Sequence, residues 1–117
     1  MASVVAYIPD LLFGSRVQAD LSADGHSVNL VGDQERLPGA LSGADVLVVD
    51  LTDDPARRAG LLQSLPPEGL QDVRTLAFYS HVDVDVRGLA ESVGFDLVVP
   101  RSRMAREGAL LVSGLFN

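Results

Sequence analysis

The chain has 117 residues, of which 47% are apolar and 21% are charged, as expected for one globular domain rather than two. Its nine basic and sixteen acidic side chains give a net charge of −7. This charge argues against DNA or RNA as a partner, because nucleic-acid binding relies on basic patches. The absence of cysteine excludes disulfides and thiolate metal sites, and it favours a reducing compartment.

Hydropathy argues against a membrane protein. No apolar run approaches the ~20 residues that a membrane-spanning helix requires, and the N-terminus lacks the pattern of a signal peptide. We therefore expect one soluble, cytoplasmic domain over residues 1–117, with neither a membrane nor a nucleic acid among its partners. All nine basic residues are arginine, so no lysine is available to any site.

Five short apolar runs predict β-strands. Four of them are rich in β-branched or aromatic residues and do not alternate with polar ones, as is typical of strands covered on both faces. The second run does alternate, which predicts an edge strand. In chain order the runs are Val4 to Ile8, His26 to Val31, Val46 to Val49, Leu76 to Tyr79 and Leu97 to Val99.

The first two connections between strands differ in helical signal. A stripe at every fourth residue, followed by a glycine, predicts a first helix that ends in a left-handed turn. Its members are Phe13, Val17, Leu21 and Gly25. The second connection, from Asp33 to Ser42, predicts only a short or irregular element, because Pro38 and Gly39 break the pattern after barely one turn.

The third helix has the strongest start signal. Asp54 followed by Pro55 supplies an N-cap and a first-turn proline. An apolar stripe then continues the helix at Leu61, Leu62 and Leu65. Two prolines stop it, and the connector from Pro66 to Asp72 predicts a loop.

The last two helices have weaker candidates for their N-cap residues. Asp83 is expected to cap a helix that ends at Gly94. The apolar face of that helix contains Val86, Leu89, Ala90 and Val93. Ser102 is expected to cap the final helix, whose apolar positions include Met104, Leu111 and Leu115.

This alternation of strands and helices predicts an α/β fold. We expect a single doubly wound parallel sheet of five strands, flavodoxin-like, with the strand order 2-1-3-4-5. Functional residues in such sheets collect at the carboxyl ends of the strands. Asp10 follows the first strand, and Asp50 and Ser80 follow the third and fourth. Because the first and third strands are neighbours in this order, Asp10 and Asp50 are expected at the same rim.

On these residues the chain resembles, over its whole length, the CheY-like receiver domain of bacterial response regulators. In that family an acidic pair after the first strand holds Mg²⁺, an aspartate ending the third strand accepts a phosphoryl group, and a lysine ends the fifth strand. The resemblance implies that Asp10 is one of the acids, that Asp50 is the phosphoacceptor, and that Ser80 is the switch hydroxyl. The segment Gly94 to Arg101 is similar to the family's fifth strand.

The chain departs from the receiver pattern at two places. Pro9 and Leu11 flank Asp10, so the second acid of the Mg²⁺ site is missing. Pro100 and Arg101 stand where the lysine is expected, and a planar guanidinium does not replace a compact ammonium group. We therefore predict a stand-alone pseudo-receiver, a two-component signalling module that binds a protein partner or forms a homodimer, without catalysis or a cofactor of its own.

Two other functions remain open for the same rim. In the first, Asp50 accepts a phosphoryl group, Asp10 and Asp50 form an incomplete Mg²⁺ site, and Arg101 contacts the phosphate. In the second, the chain is a small enzyme that uses Asp10, Asp50 and His81. Asp10, Asp50 and Ser80 also have ordinary interpretations as turn, capping and loop residues.

The end of the chain has more apolar side chains than one helical stripe requires. The residues concerned are Leu110, Leu111, Leu115 and Phe116. Since Leu110 and Leu111 point in different directions on a helix, the excess predicts an interface with a partner. The alternative is a wide buried stripe with Phe116 folded back onto the core.

Overall fold

The sheet has the predicted strand order. A computed structural model describes residues 1–80 and 82–117, and its five parallel strands lie in the order β2-β1-β3-β4-β5. The strands are β1 (Ser3–Tyr7), β2 (Ser27–Val31), β3 (Val46–Asp50), β4 (Arg74–Tyr79) and β5 (Leu97–Pro100). The alternating strand β2 lies at an edge, as its pattern predicts.

The described residues form six α-helices and one short 3₁₀ turn at Gln34–Arg36. The helices are α1 (Leu11–Ala23), α2 (Leu37–Ala40), α3 (Pro55–Ser64), α4 (Pro67–Leu70), α5 (Val84–Val93) and α6 (Arg101–Phe116). Gly25 after α1 and Gly94 after α5 have φ of 93° and 107°, which confirms both predicted left-handed ends. Among the described residues, no helix combines the length and apolarity needed to cross a membrane.

Helices cover both faces of the sheet. On one face α1 and α6 pack their apolar stripes, and the buried side chains include Phe13, Val17, Leu21, Met104 and Val112. On the other face α3 and α5 contribute Ala59, Leu61, Val86 and Ala90. Every residue of the central strand β3 is buried, as its unbroken apolar run predicts.

The start of the last helix and the connector after α3 differ from their predictions. Helix α6 begins at Arg101, so Ser102 lies inside its first turn and is not the cap. The reason is that Pro100 already has the extended backbone that precedes a helix, with φ −64° and ψ 151°. The segment predicted as a loop, from Pro66 to Asp72, contains the single-turn helix α4, because Pro67 has a φ suited to a first helical turn.

Side chains at the starts of α3 and α5 also differ from prediction. Asp54 occupies the N-cap position of α3 in a left-handed conformation, with φ 47°, and its carboxylate accepts a 2.6 Å hydrogen bond from Arg57 Nε instead of capping the backbone. Asp83 precedes α5, but within the described residues its side chain forms no cap hydrogen bond. Leu89 is 37% exposed, so the buried face of α5 is narrower than predicted.

Candidate functional site

The carboxyl edge of the sheet brings the predicted site residues to one rim. Asp10 follows β1, Asp50 ends β3, and Ser80 follows β4. Strand β3 is hydrogen-bonded to both β1 and β4. Arg101 comes directly after β5 and opens α6. The remaining predicted rim residue, His81, lies outside the described residues.

Asp10 caps helix α1 through one carboxylate oxygen. Its Oδ1 accepts hydrogen bonds from the backbone N–H groups of Leu12 and Phe13 at 3.1 and 3.2 Å, the usual role of an N-cap aspartate. Its Oδ2 lies 3.3 Å from a guanidinium nitrogen of Arg101. The Phe13 hydrogen bond above all, and Arg101 after it, lower the pKa of Asp10, although desolvation opposes them. Both oxygens of Asp10 are therefore engaged within the chain.

Arg101 packs on the α1 side of the rim. Its guanidinium carbon lies 4.1 Å from the centre of the Phe13 ring, a cation–π contact that adds to the ion pair with Asp10. A phosphate contact at Asp50, the role predicted for Arg101, would require the guanidinium to leave these two partners.

Asp50 is the most buried acid of the rim. Its side chain is 2% exposed, and its Oδ1 accepts hydrogen bonds from the backbone N–H and the hydroxyl of Thr52 at 2.8 and 2.6 Å. Its Oδ2 lies 3.9 Å from Nη1 of Arg58. The same nitrogen donates a 3.2 Å hydrogen bond to the backbone carbonyl of Asp50. Asp50 is thus held by a hydroxyl on one side and by a cation on the other.

The cation beside Asp50 is a buried arginine. The Arg58 side chain is 8% exposed, and its Nη2 lies 3.6 Å from the Asp53 carboxylate. The guanidinium carbon lies 5.7 Å from the centre of the Tyr7 ring. Within the part of the chain that is described, the buried Nε of Arg58 has no hydrogen-bond partner. Because a buried charge requires compensation, Arg58 and the acids around it form one electrostatic unit.

Arg58 is not among the site residues predicted above, although its helical spacing indicated burial. Arg58 precedes Leu61 by three residues and Leu65 by seven, which places it on the buried face of α3. Arginine is seldom buried unless it is paired, so this position in an apolar stripe indicated a partner. The partner, Asp50, ends the strand that precedes the helix.

The carboxylates of the rim do not fit a Mg²⁺ site as they stand. Mg²⁺ requires oxygen ligands in near-octahedral geometry, but Asp10 is engaged by α1 and Arg101, and Asp50 by Thr52 and Arg58. Over residues 1–80 and 82–117, no group of three or more acidic, histidine or cysteine side chains is placed to hold a metal ion. A divalent cation would have to compete with two arginines of the chain itself.

The apolar C-terminal residues fall into two groups. Leu110 and Phe116 are 69% and 40% exposed. Leu111 is buried in the core between the sheet and the α1–α6 face, and Leu115 packs against that core in part. The predicted apolar excess is therefore present on the surface at Leu110 and Phe116.

Comparisons with solved structures identify the fold. NtrX from Brucella abortus superposes with a TM-score of 0.83 at 14% identity, over 98% of this chain and 26% of NtrX. A response regulator from Thermotoga maritima has a TM-score of 0.83 at 15% identity, over 99% of this chain and 98% of that protein. An atypical orphan response regulator has a TM-score of 0.78 at 13% identity, over 97% and 94%.

Two comparisons that use the sequence gave no match. No protein-family model matches the chain, and no curated protein matches it. At the low identities of the structural matches, the likeness shows the fold and not the activity. The chain has the fold of response-regulator receiver domains.

Proposed function

We propose that this receiver-fold chain is a pseudo-receiver, an interaction module that signals without phosphorylation and without catalysis of its own. The observation that supports this most strongly is the Arg58 guanidinium, 3.9 Å from the Asp50 carboxylate and 8% exposed. An internal cation of permanent charge stands beside the aspartate that matches the phosphoacceptor of receiver domains. The carboxylate therefore has a counter-charge before any metal ion or phosphoryl group arrives.

The chemistry of phosphoryl transfer supports the same proposal. Transfer to an aspartate depends on positioning and on cations that neutralise the transferred oxygens. The chain has no lysine, Arg101 is paired with Asp10, and Arg58 is already paired with the carboxylates of Asp50 and Asp53. Loss of one such electrostatic partner commonly raises the barrier by about 3–4 kcal/mol. Loss of both the lysine and the metal site slows the reaction by several orders of magnitude.

One of the structural matches gives a precedent for this kind of function. The atypical orphan response regulator is described as having a phosphorylation-independent regulatory mechanism. A receiver fold is therefore compatible with regulation that does not use a phosphoaspartate. For this chain the precedent supports the proposal, and the Arg58 contact supplies its physical reason.

The phosphoryl mimic beryllofluoride, added with Mg²⁺, tests the proposal by amide NMR. We expect no shifts centred on Asp50 and Ser80 in the unmodified protein. Localised, saturable shifts at these residues would overturn the proposal and favour the alternative, a phosphate-accepting receiver in which Arg101 assists. The R58M variant removes the internal cation, and R57M is the matched control because the exposed Arg57 precedes Arg58 on the same helix.

We further propose that the module acts in the cytoplasm through the exposed end of α6, as a homodimer or on a larger signalling protein. The proposed contact residues are Leu110 and Phe116, the exposed large apolar side chains near the end of α6. Sedimentation velocity at several concentrations is expected to show a reversible dimer that L110E weakens. The control is L12E, because Leu12 is 87% exposed on α1. A monomer at every concentration would contradict the homodimer.

A further inference from the structure

A buried histidine lies at the edge of the sheet where the strands begin, opposite the rim described above. His26 is in the turn between α1 and β2, and its side chain is 3% exposed. Its backbone N–H donates a 3.1 Å hydrogen bond to the carbonyl of Leu21, and the N–H of Ser27 donates a 3.0 Å bond to the carbonyl of Ala2. The backbone on both sides of the ring is therefore fixed.

Hydrogen bonds connect the ring of His26 to separate parts of the fold. The backbone N–H of Ala2, just before β1, donates to the ring nitrogen Nδ1 at 3.1 Å. The other ring nitrogen, Nε2, lies 3.0 Å from the hydroxyl of Ser113, which is in the last turn of α6. The same hydroxyl donates a 3.4 Å hydrogen bond to the carboxylate of Asp24, just after α1. The ring thus joins the end of α6 to the start of β1 and to the end of α1.

The direction of these hydrogen bonds determines the protonation state of the ring. A backbone N–H can only donate, so Nδ1 is the acceptor, and the single proton of a neutral imidazole is then on Nε2. Nε2–H donates to the hydroxyl of Ser113, which in turn donates to Asp24. A protonated ring has two N–H donors and no acceptor, so it cannot keep the hydrogen bond with Ala2. This arrangement requires a neutral His26.

The charge around the ring does not compensate for that loss. Of the acids in the described ranges, only Asp24 lies within ion-pair distance of His26, at 3.6 Å from Nε2, and its side chain is 54% exposed. The groups that face the ring from β1 and α6 are the uncharged N–H of Ala2 and hydroxyl of Ser113. An exposed ion pair contributes less to stability than a buried N–H loses when its acceptor disappears. Protonation of the ring therefore destabilises this part of the fold.

We propose that His26 is a pH-sensitive switch that holds the last turn of α6 at neutral pH and releases it in mild acid. Protonation breaks the hydrogen bond with Ala2, and the charged ring leaves its buried position for water, since a buried charge requires compensation. The last turn of α6 then loses its hydrogen bond through Ser113. Because that turn contains Phe116, acid also weakens the partner contact. This last consequence rests on the function proposed above, whereas the release of the helix end does not.

NMR of the unmodified protein at about pH 7.5 and about pH 5.5 tests the switch, because histidine titrates between these values whereas most carboxylates stay ionised. We expect the ring signals of His26 to change from the neutral to the charged form together with the amide signal of Ala2. The backbone order parameters of Ser113 to Phe116 are expected to fall from about 0.85 toward about 0.6. A ring that stays neutral at about pH 5.5, or that becomes charged while Ala2 and Ser113 do not change, would overturn the proposal.

Two matched variants assign the acid response, since His26 and His81 are the two histidines of the chain. The side-chain amide of H26Q does not titrate, so we expect equal order in the last turn of α6 at both pH values. H81Q is expected to respond like the unmodified protein.

An acid response that persists in H26Q would reveal a different titrating group and overturn the switch. If H26Q does not fold, the NMR titration of the unmodified protein decides the proposal by itself. Sedimentation at the same two pH values separates the two proposals. A protein that is monomeric at both would contradict the homodimer, whereas the NMR signals of His26, Ala2 and Ser113 report the switch without any partner.

Discussion

Two aspartate–arginine pairs lie at the same rim and differ mainly in burial. Asp10 and Arg101 have side chains 43% and 40% exposed, at 3.3 Å. Asp50 and Arg58 are 2% and 8% exposed, at 3.9 Å. By distance alone, the exposed pair would have the stronger electrostatic attraction. Water and salt screen that pair, however, and exposed ion pairs contribute only about 0–1 kcal/mol to stability.

When one partner is removed, the buried pair is expected to cause the larger loss of stability. A buried charge left without its counter-charge costs about 3–5 kcal/mol, far more than the loss of an exposed pair. The same two residue types therefore have different roles. Asp10 and Arg101 stabilise the start of α1, whereas Arg58 determines the electrostatic environment of Asp50.

The largest expected effect comes from breaking the buried pair. R58M keeps an unbranched side chain but leaves Asp50 buried without its cation, and we expect the free energy of unfolding to fall by about 3–5 kcal/mol. Urea denaturation measures this loss. R57M, one residue earlier on an exposed side chain, is expected to cost less than about 1 kcal/mol. Equal losses in the two variants would contradict the assignment of Arg58 as a buried counter-ion.

Removing both charges of the buried pair sharpens the comparison. In the double variant D50N/R58M, the introduced side-chain amide retains an oxygen for the Thr52 hydrogen bonds and no longer needs a cation. We therefore expect the double variant to be more stable than R58M alone, with a coupling energy of about 1–3 kcal/mol. A double-mutant cycle by urea denaturation measures this coupling, and strictly additive losses would show that the two side chains act independently.

Breaking the exposed pair is expected to have a smaller effect. R101Q removes the ion pair with Asp10 and the contact with the Phe13 ring, and we expect a loss of about 0.5–1 kcal/mol. Added salt should reduce the difference between R101Q and the unmodified protein, because exposed charges are screened. A salt-independent loss as large as that of R58M would contradict the comparison.

The smallest expected effect is the pH dependence of the contribution that the Asp10 carboxylate makes to stability. Its pKa in the folded protein is lowered from the ordinary value of 3.8, so the carboxylate stabilises the fold above that pH, and the contribution is lost as pH falls through the folded-state pKa. In D10N the neutral amide still caps α1. We expect the stability difference between the unmodified protein and D10N to be present at neutral pH and to decrease as the pH falls below the ordinary value of 3.8. A difference that persists at low pH would contradict the ionic contribution.

Much of the fold follows from local sequence patterns. The strands were predictable because four of the runs are apolar throughout and rich in β-branched or aromatic residues, which is typical of strands covered on both faces. The starts of α5 and α6 were less predictable, since Asp83, Pro100 and Ser102 all suit a position near a helix start. Which of these residues becomes the cap depends on the residue at which the preceding strand ends, and tertiary contacts determine where that is.

The candidate site was predictable in position but not in its contacts. Strand ends place Asp10 and Asp50 at one rim whatever the side chains do. The partners of these acids depend on side-chain direction, and the sequence pattern does not distinguish an Arg101 that reaches Asp50 from one that packs on Phe13. Arg58 is the converse case, because its helical position indicated burial while its residue type indicated exposure.

The most direct test of the central claim is the mass of the intact protein after incubation with Mg²⁺ and acetyl phosphate, a small phosphoryl donor. If Arg58 already supplies the counter-charge of the Asp50 carboxylate and phosphoryl transfer to Asp50 is unfavourable, the mass of the unmodified protein does not change. A phosphoryl adduct that forms on the unmodified protein and is missing from D50N would contradict the account.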